Sequence, residues 1–311
     1  MKLSLKYFIP LIAMVCWAGN FPLGRWVQTR APELDMSALE LATWRWTLAC
    51  LVCALVIAFG YLRNGPEQLR LQAKALRTRP WLMLFYAFCS VTLFNLFVYM
   101  GLSLTNSING LIANIALPSF ILGAGFIVLR DCILPSQALG LAIACLGVVW
   151  VAAEGRWEAI RALRFNVGDL WIIGGMLIYA IYSIFLRYRP PMSALSFVTI
   201  QPFIGLPFLW LMLWASGQAI HWPGLWSLPV WASMAYFAIF PSFVAQASWN
   251  RSVELLGSNR ASIYIVLIPV IGAAASVMIL GERVAAYHLV SFAIVALGLF
   301  VGLGLFARRA P

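Results

Sequence analysis

Charge is scarce in this chain: only 10% of its 311 residues are Asp, Glu, Lys or Arg, against roughly a quarter in a soluble domain. With 63% of residues hydrophobic, no water-facing particle of this size can hide the apolar side chains, because its surface grows along with its core. The solvent is lipid. Histidine is nearly missing as well. His221 and His288 are the only two, and no cysteine stands at ligand spacing from either, which excludes a structural zinc site. There is no G-x-S-x-G, no H-E-x-x-H and no phosphate-cradling glycine loop with its lysine, so serine hydrolase, zinc protease and ATPase chemistry have no seat here. Nothing in the chain calls for a cofactor. No carboxylate lies in the middle of an apolar run: Asp131, Asp169, Glu254 and Glu282 all fall near run ends. A proton-driven carrier typically shows one at depth, so facilitated transport or exchange is the expected mode. Of the six cysteines, Cys50 and Cys53 form a C-x-x-C, which inside an apolar run reads as two small packing residues.

What is abundant is long apolar sequence. Crossing roughly 30 Å of hydrocarbon takes about 20 residues of helix. Runs of that kind lie near 7–27, 37–60, 80–102, 108–129, 133–153, 168–187, 194–216, 229–250, 259–280 and 285–306. They are continuously apolar rather than alternating, so they are helices and not barrel strands, which suits a bacterial-type inner membrane. The start, MKLSLKYFIPLIAMVCWAGN, has the charged head and apolar run of a secretion signal. No small-x-small cleavage site follows it, so an uncleaved first helix is expected. The net charge of +11 is spread in short Lys/Arg clusters between the runs, which argues against a nucleic-acid partner and encodes topology instead. With both termini cytoplasmic, the inner segments hold 14 Lys and Arg and the outer ones 6, as the positive-inside rule asks. The outer stretch 154–167 carries three of those six and reads as a short amphipathic surface helix.

The chain also repeats itself. A shift of 151 residues lays Pro118 on Pro269, Asp131 on Glu282 and Gly147 on Gly298. A weaker shift of 162 lays Trp17 on Tyr179, Asn20 on Tyr182 and Arg25 on Arg187. Five spans per half is odd, so the second half enters the membrane upside down. The expected architecture is an all-α integral membrane protein of ten transmembrane helices. Two inverted five-helix repeats, 1–153 and 168–311, surround a central cavity and are joined by the extracytoplasmic linker 154–167. Inverted repeats are a transporter device: the halves exchange roles as a midplane site opens to either side.

Several short motifs run through nearly the whole chain in order. They are Trp17-Ala-Gly-Asn-Phe with Gly24-Arg25, Arg45, Asn95 with Tyr99-x-Gly101-Leu102, Pro118 and Asn166-x-Gly168-Asp169-Leu170. Further on come Pro241-Ser242, Trp249-Asn250, Gly257-x-x-Arg260-Ala261, Leu267-x-Pro269-Val270 and Leu280-Gly281-Glu282. In these the chain resembles the EamA family of the drug/metabolite transporter superfamily. It departs at Arg130-Asp131, where the first half lacks the Gly-Glu pair that the second half keeps. The resemblance implies ten helices in a basket-like bundle, and export of small metabolites, amino acids or drug-like compounds. It leaves the substrate open.

Arg45 leads the candidate residues. It lies roughly 10–14 Å into the second span at about 1.5 Å per residue, where a guanidinium is costly unless it meets water or a partner. It either faces the cavity and holds a substrate carboxylate or carbonyl with its planar fork, or snorkels outward between Trp44 and Trp46. Glu40, five positions earlier, lies on another face of the helix and is a poor partner. Pro118 and Pro269 are expected mid-helix, each freeing a carbonyl one turn back, and paired breaks of this kind point to a midplane site. Asn114 and Tyr264 stand just before them. Asn20, Asn95, Tyr99, Tyr182, Gln246, Trp249 and Asn250 are polar candidates at depth. The 151 shift pairs Asn95 with Gln246 and Tyr99 with Asn250, which sets them against the ordinary alternative of helix-helix hydrogen bonding. Trp17, Tyr99, Tyr182 and Trp249 supply an aromatic wall. A small-molecule substrate and the lipid bilayer are the partners so implied; oligomeric state is not legible. The second reading is a channel lined by the same polar faces, separable from a transporter because it carries ohmic current rather than saturable counterflow. An intramembrane enzyme ranks below both.

Overall fold

The computed structural model describes residues 8–30, 36–130, 132, 134–161, 166–256 and 263–302, and among these every regular element is helical. Among the described residues six helices are long and apolar enough to span a membrane: 38–63, 80–104, 135–152, 167–188, 194–215 and 228–249. A seventh span arises if α7 (Ser107–Ile115) and α8 (Leu117–Leu129), which meet at 50°, count as one. Apolar helices α15 (Leu267–Leu280) and α16 (Ala286–Gly302) are shorter. The first expected span is split into α1 (Ile9–Ala18) and α2 (Asn20–Arg30). Its break has a local cause. The Tyr236 hydroxyl donates to the Cys16 carbonyl at 2.8 Å, and a Cβ at Gly19 would fall 2.4 Å from that same hydroxyl. A side chain inserted into the backbone ladder breaks the helix where glycine leaves room.

The prolines need a correction. Pro118 is the second residue of α8 and Pro269 the third of α15, so neither sits mid-helix. In the first turn the proline's missing N–H would have had no partner in any case; the chain breaks before each proline instead of kinking through it. A single turn of 3₁₀ helix, Ile263–Val266, precedes α15. One element has no counterpart among the expected spans: α4 (Glu67–Thr78) is a charged surface helix after α3 (Ala38–Asn64). It is tied down by Gln72, whose amide donates to the Ser196 carbonyl at 2.8 Å and to Thr199 at 3.1 Å. The amphipathic segment read at 154–167 contributes the five-residue helix Trp157–Arg161.

Among the described residues two spans carry a turn of π-helix. Phe88–Leu93 joins α5 (Pro80–Ala87) to α6 (Phe94–Leu104), and Phe240–Val244 joins helix Leu228–Ile239 to helix Ala245–Leu256. The 151-residue shift superposes these turns. It also superposes the α7–α8 break on the start of α15. A π-turn leaves carbonyls short of donors, and the Asn95 amide meets two of them, Ser90 O at 2.8 Å and Val91 O at 3.2 Å.

The bundle is turned inside out relative to a soluble protein. Leu55 and Leu62 on α3 are 72% and 82% exposed, while Arg45 on the same helix is buried. Helices α9 (Pro135–Ala152) and α16 pack most closely: a Cβ on Gly298 would lie 2.5 Å from the Ala144 nitrogen, and one on Gly140 at 2.5 Å from the Gly298 carbonyl. Small residues at such a seam let two backbones touch, the usual basis of helix association in lipid.

Candidate functional site

Between these helices lies a cavity of about 120 Å³. Eight residues singled out from sequence line it: Trp17, Asn20, Arg45, Asn95, Asn114, Tyr182, Gln246 and Trp249. They come from both halves of the chain, and Trp17 and Trp249 meet across it with ring centroids 5.7 Å apart. Trp17 is fixed by its indole N–H, which donates to the Pro241 carbonyl at 3.2 Å.

Arg45 is 5% exposed, so it does not snorkel to the headgroups. Its Nε donates to the Ser242 hydroxyl at 3.0 Å. Its Nη1 donates to Asn20 Oδ1 at 2.9 Å and to the Tyr99 hydroxyl at 2.8 Å. The guanidinium also sits 5.4 Å from the Trp46 ring centroid and 5.8 Å from that of Tyr99, within cation–π range. Every partner is neutral. Among the described residues no carboxylate pairs with it, and its Nη2 makes no hydrogen bond. Glu40 is engaged elsewhere, accepting from the backbone N–H of His221 and lying 3.0 Å from that ring.

Other expected residues stand apart from the cavity. Tyr99 is fully buried behind Arg45 and bonds Asn20 at 3.2 Å, so it supports the wall without forming it. Pro118, Pro269 and Tyr264 do not line the cavity. The side chain of Asn250 lies outside the described residues, as do Asp131, Gly257 and Arg260. Trp44, read as an interfacial anchor, packs edge-on to Trp210 and Trp226 at 5.2 and 5.4 Å, and Trp46 lines the cavity.

The wall also contains Ser90, Phe94, Tyr179, Ser183 and Pro241, none of them a sequence candidate. A signal for most of these was present. The 162 shift maps Trp17, Asn20 and Phe21 onto Tyr179, Tyr182 and Ser183, and all six line the cavity. The 151 shift maps Ser90 onto Pro241 in the same way. Ser242 carried no signal beyond its place in a motif.

Away from the cavity, polar ties join helix ends from distant parts of the chain. Arg25 Nε pairs with Glu282 at 3.2 Å, and Glu282 accepts from the Ser107 backbone N–H at 3.0 Å and its hydroxyl at 2.9 Å, capping α7. Nearby, Asp169 accepts from Thr105 at 2.7 Å and from Asn109 at 3.0 Å, and the Asn109 side-chain Oδ1 stands 3.1 Å from His288 Nε2.

The EamA-like transporter family matches this sequence over residues 4–153 and again over 166–303. The chain belongs to that family. YyaM of Bacillus subtilis (strain 168), named an uncharacterized transporter, is 24% identical over 85% of this chain and 83% of its own. YrdR of the same organism, also named an uncharacterized transporter, is 22% identical over 94% and 88%. An uncharacterized transporter of Archaeoglobus fulgidus is 23% identical over 86% and 88%. A crystal structure described only as that of a protein, 18% identical, superimposes with a TM-score of 0.65 over 99% of each chain, so the two share a fold. This EamA-like transporter is thus a multi-pass membrane protein that moves a solute. Its motif residues Trp17, Arg45, Asn95 and Trp249 converge on one cavity, while Arg25, Asp169 and Glu282 take part in the polar ties between helix ends.

Proposed function

We propose that the chain crosses an inner membrane ten times as two inverted five-helix repeats, 1–153 and 168–311, with both termini cytoplasmic. It exports small metabolites by alternating access through the central cavity. Arg45 is the substrate anchor; Asn20, Asn114, Tyr182, Gln246, Trp17 and Trp249 form the walls, and Asn95 and Tyr99 hold them in place. The carrying observation is the pairing of wall residues from the two halves around a buried guanidinium that has no acidic partner among the described residues. The coincidence of the two π-turns under the same shift supports the repeat. Exchange or facilitated movement suits a cavity lined by no carboxylate among the described residues.

Resistance profiling tests this reading. Cells expressing the protein are challenged with arrays of toxic amino acids, carboxylates and drugs, with Arg45→Ala and Arg45→Lys in parallel. Resistance to at least one compound is expected with the wild type, loss with Ala and partial retention with Lys. Undiminished resistance with Ala overturns the role of Arg45. Ohmic current across a planar bilayer in place of saturable counterflow overturns the transporter mechanism in favour of a pore.

A further inference from the structure

We infer that the cavity selects small organic anions with a one-ring or similarly sized apolar body and no ammonium group: aromatic monocarboxylates rather than amino acids or cationic drugs. The inference rests on the transport reading above and narrows it. Among the described residues that line the cavity, Arg45 is the only charged one; none is Asp, Glu, Lys or His. A buried cation surrounded by neutral acceptors makes the interior electropositive, since low polarizability nearby leaves its field unscreened. A carboxylate completes the guanidinium in a way that Ser242, Asn20 and Tyr99 do not, because Nη2 still has two donors to give and charge-assisted pairs are the strong ones. An ammonium on the same molecule finds no anion on the wall and meets Arg45 across a space of only about 120 Å³. Burying that second charge unpaired is costly. The wall sets the body, because aromatic side chains pack well against the face or edge of a ring. Trp17, Phe94, Tyr179 and Trp249, with Leu117 and Ile268, give that ring faces and edges to pack on.

The test is calorimetric titration of the purified protein in lipid nanodiscs with three probes that share one phenyl body: 3-phenylpropionate, phenylalanine and phenethylamine. Saturable binding is expected for 3-phenylpropionate, binding weaker by roughly tenfold or more for phenylalanine, and none for phenethylamine. Asn20→Asp is isosteric and sets a carboxylate where Arg45 Nη1 now finds an amide oxygen at 2.9 Å. It should melt no lower than wild type and weaken 3-phenylpropionate roughly tenfold to a hundredfold. Gln246→Glu, which leaves the Arg45 hydrogen bonds intact, moves affinity in the same direction. Tighter binding of either amine-bearing probe, binding of none of the three, or undiminished affinity in both acidic variants overturns the anion assignment. The transport reading fails separately, through the loss of counterflow and resistance described above.

Discussion

Arg45 takes its three hydrogen bonds from three separate pieces of the chain: Asn20 at the head of α2, Tyr99 on α6 and Ser242 in the second π-turn. Its position is therefore set by how those pieces stand, and small shifts in any of them reach the guanidinium. Gly24 is the most direct lever, since a Cβ there would fall 2.8 Å from the Tyr99 ring. Gly24→Ala is expected to push Tyr99 off Arg45 and cost about 1–3 kcal/mol by overpacking, read as a lower melting temperature together with weakened 3-phenylpropionate binding. A full-affinity, full-stability variant would show that Tyr99 does not hold the anchor. Arg45 itself was legible in the sequence because a charge inside an apolar run is conspicuous. Ser242 was not, because a serine in such a run is common and its hydroxyl is informative only once its neighbour is known.

Among the elements, the apolar runs marked the helices well, and their interruptions poorly. Hydropathy averages over the Gly19 break, and a π-turn is one extra residue that leaves no trace in composition. Pro118 and Pro269 did mark breaks, yet their place relative to the break depends on where the helix restarts, which only backbone geometry fixes. Helix α4 went unread because a charged amphipathic helix of 12 residues resembles a basic loop. The tightest seam yields a prediction at this scale. Gly298→Leu forces α9 and α16 apart, because even its Cβ lies 2.5 Å from the Ala144 nitrogen, and the expected cost is about 3 kcal/mol or more. Loss of the folded peak on detergent size exclusion, or a sharp drop in melting temperature, checks it; wild-type behaviour would mean that the seam opens without penalty.

For the whole molecule, the tie of Arg25 and Glu282 to the N-terminus of α7 joins the start of the chain to its last quarter. Glu282→Ala deprives the Ser107 N–H of its acceptor, a capping loss of about 0.5–2 kcal/mol. Amide exchange at Ser107 and Ile108 should quicken by roughly tenfold if the end opens locally, while exchange at the α9–α16 seam stays unchanged. Equal exchange in both proteins would show that the start of α7 is held by packing rather than by the Glu282 cap. The match of the two π-turns under the 151-residue shift was foreshadowed by a few matched letters, because positions where a ladder breaks accept few residue types. The depth and shape of the cavity were not, because they depend on which helix faces meet.

The Trp17–Trp249 contact has a consequence in optical terms. The two indoles are 5.7 Å apart and inclined at 53°, close enough for their excited states to couple and give paired bands of opposite sign in far-ultraviolet circular dichroism. One ring belongs to each half of the chain. The difference spectrum between the protein and Trp17→Phe isolates that couplet from the other indoles, and its amplitude falls steeply as the rings separate. The wall of the cavity thus contains its own gauge of whether the halves have moved, readable without a label.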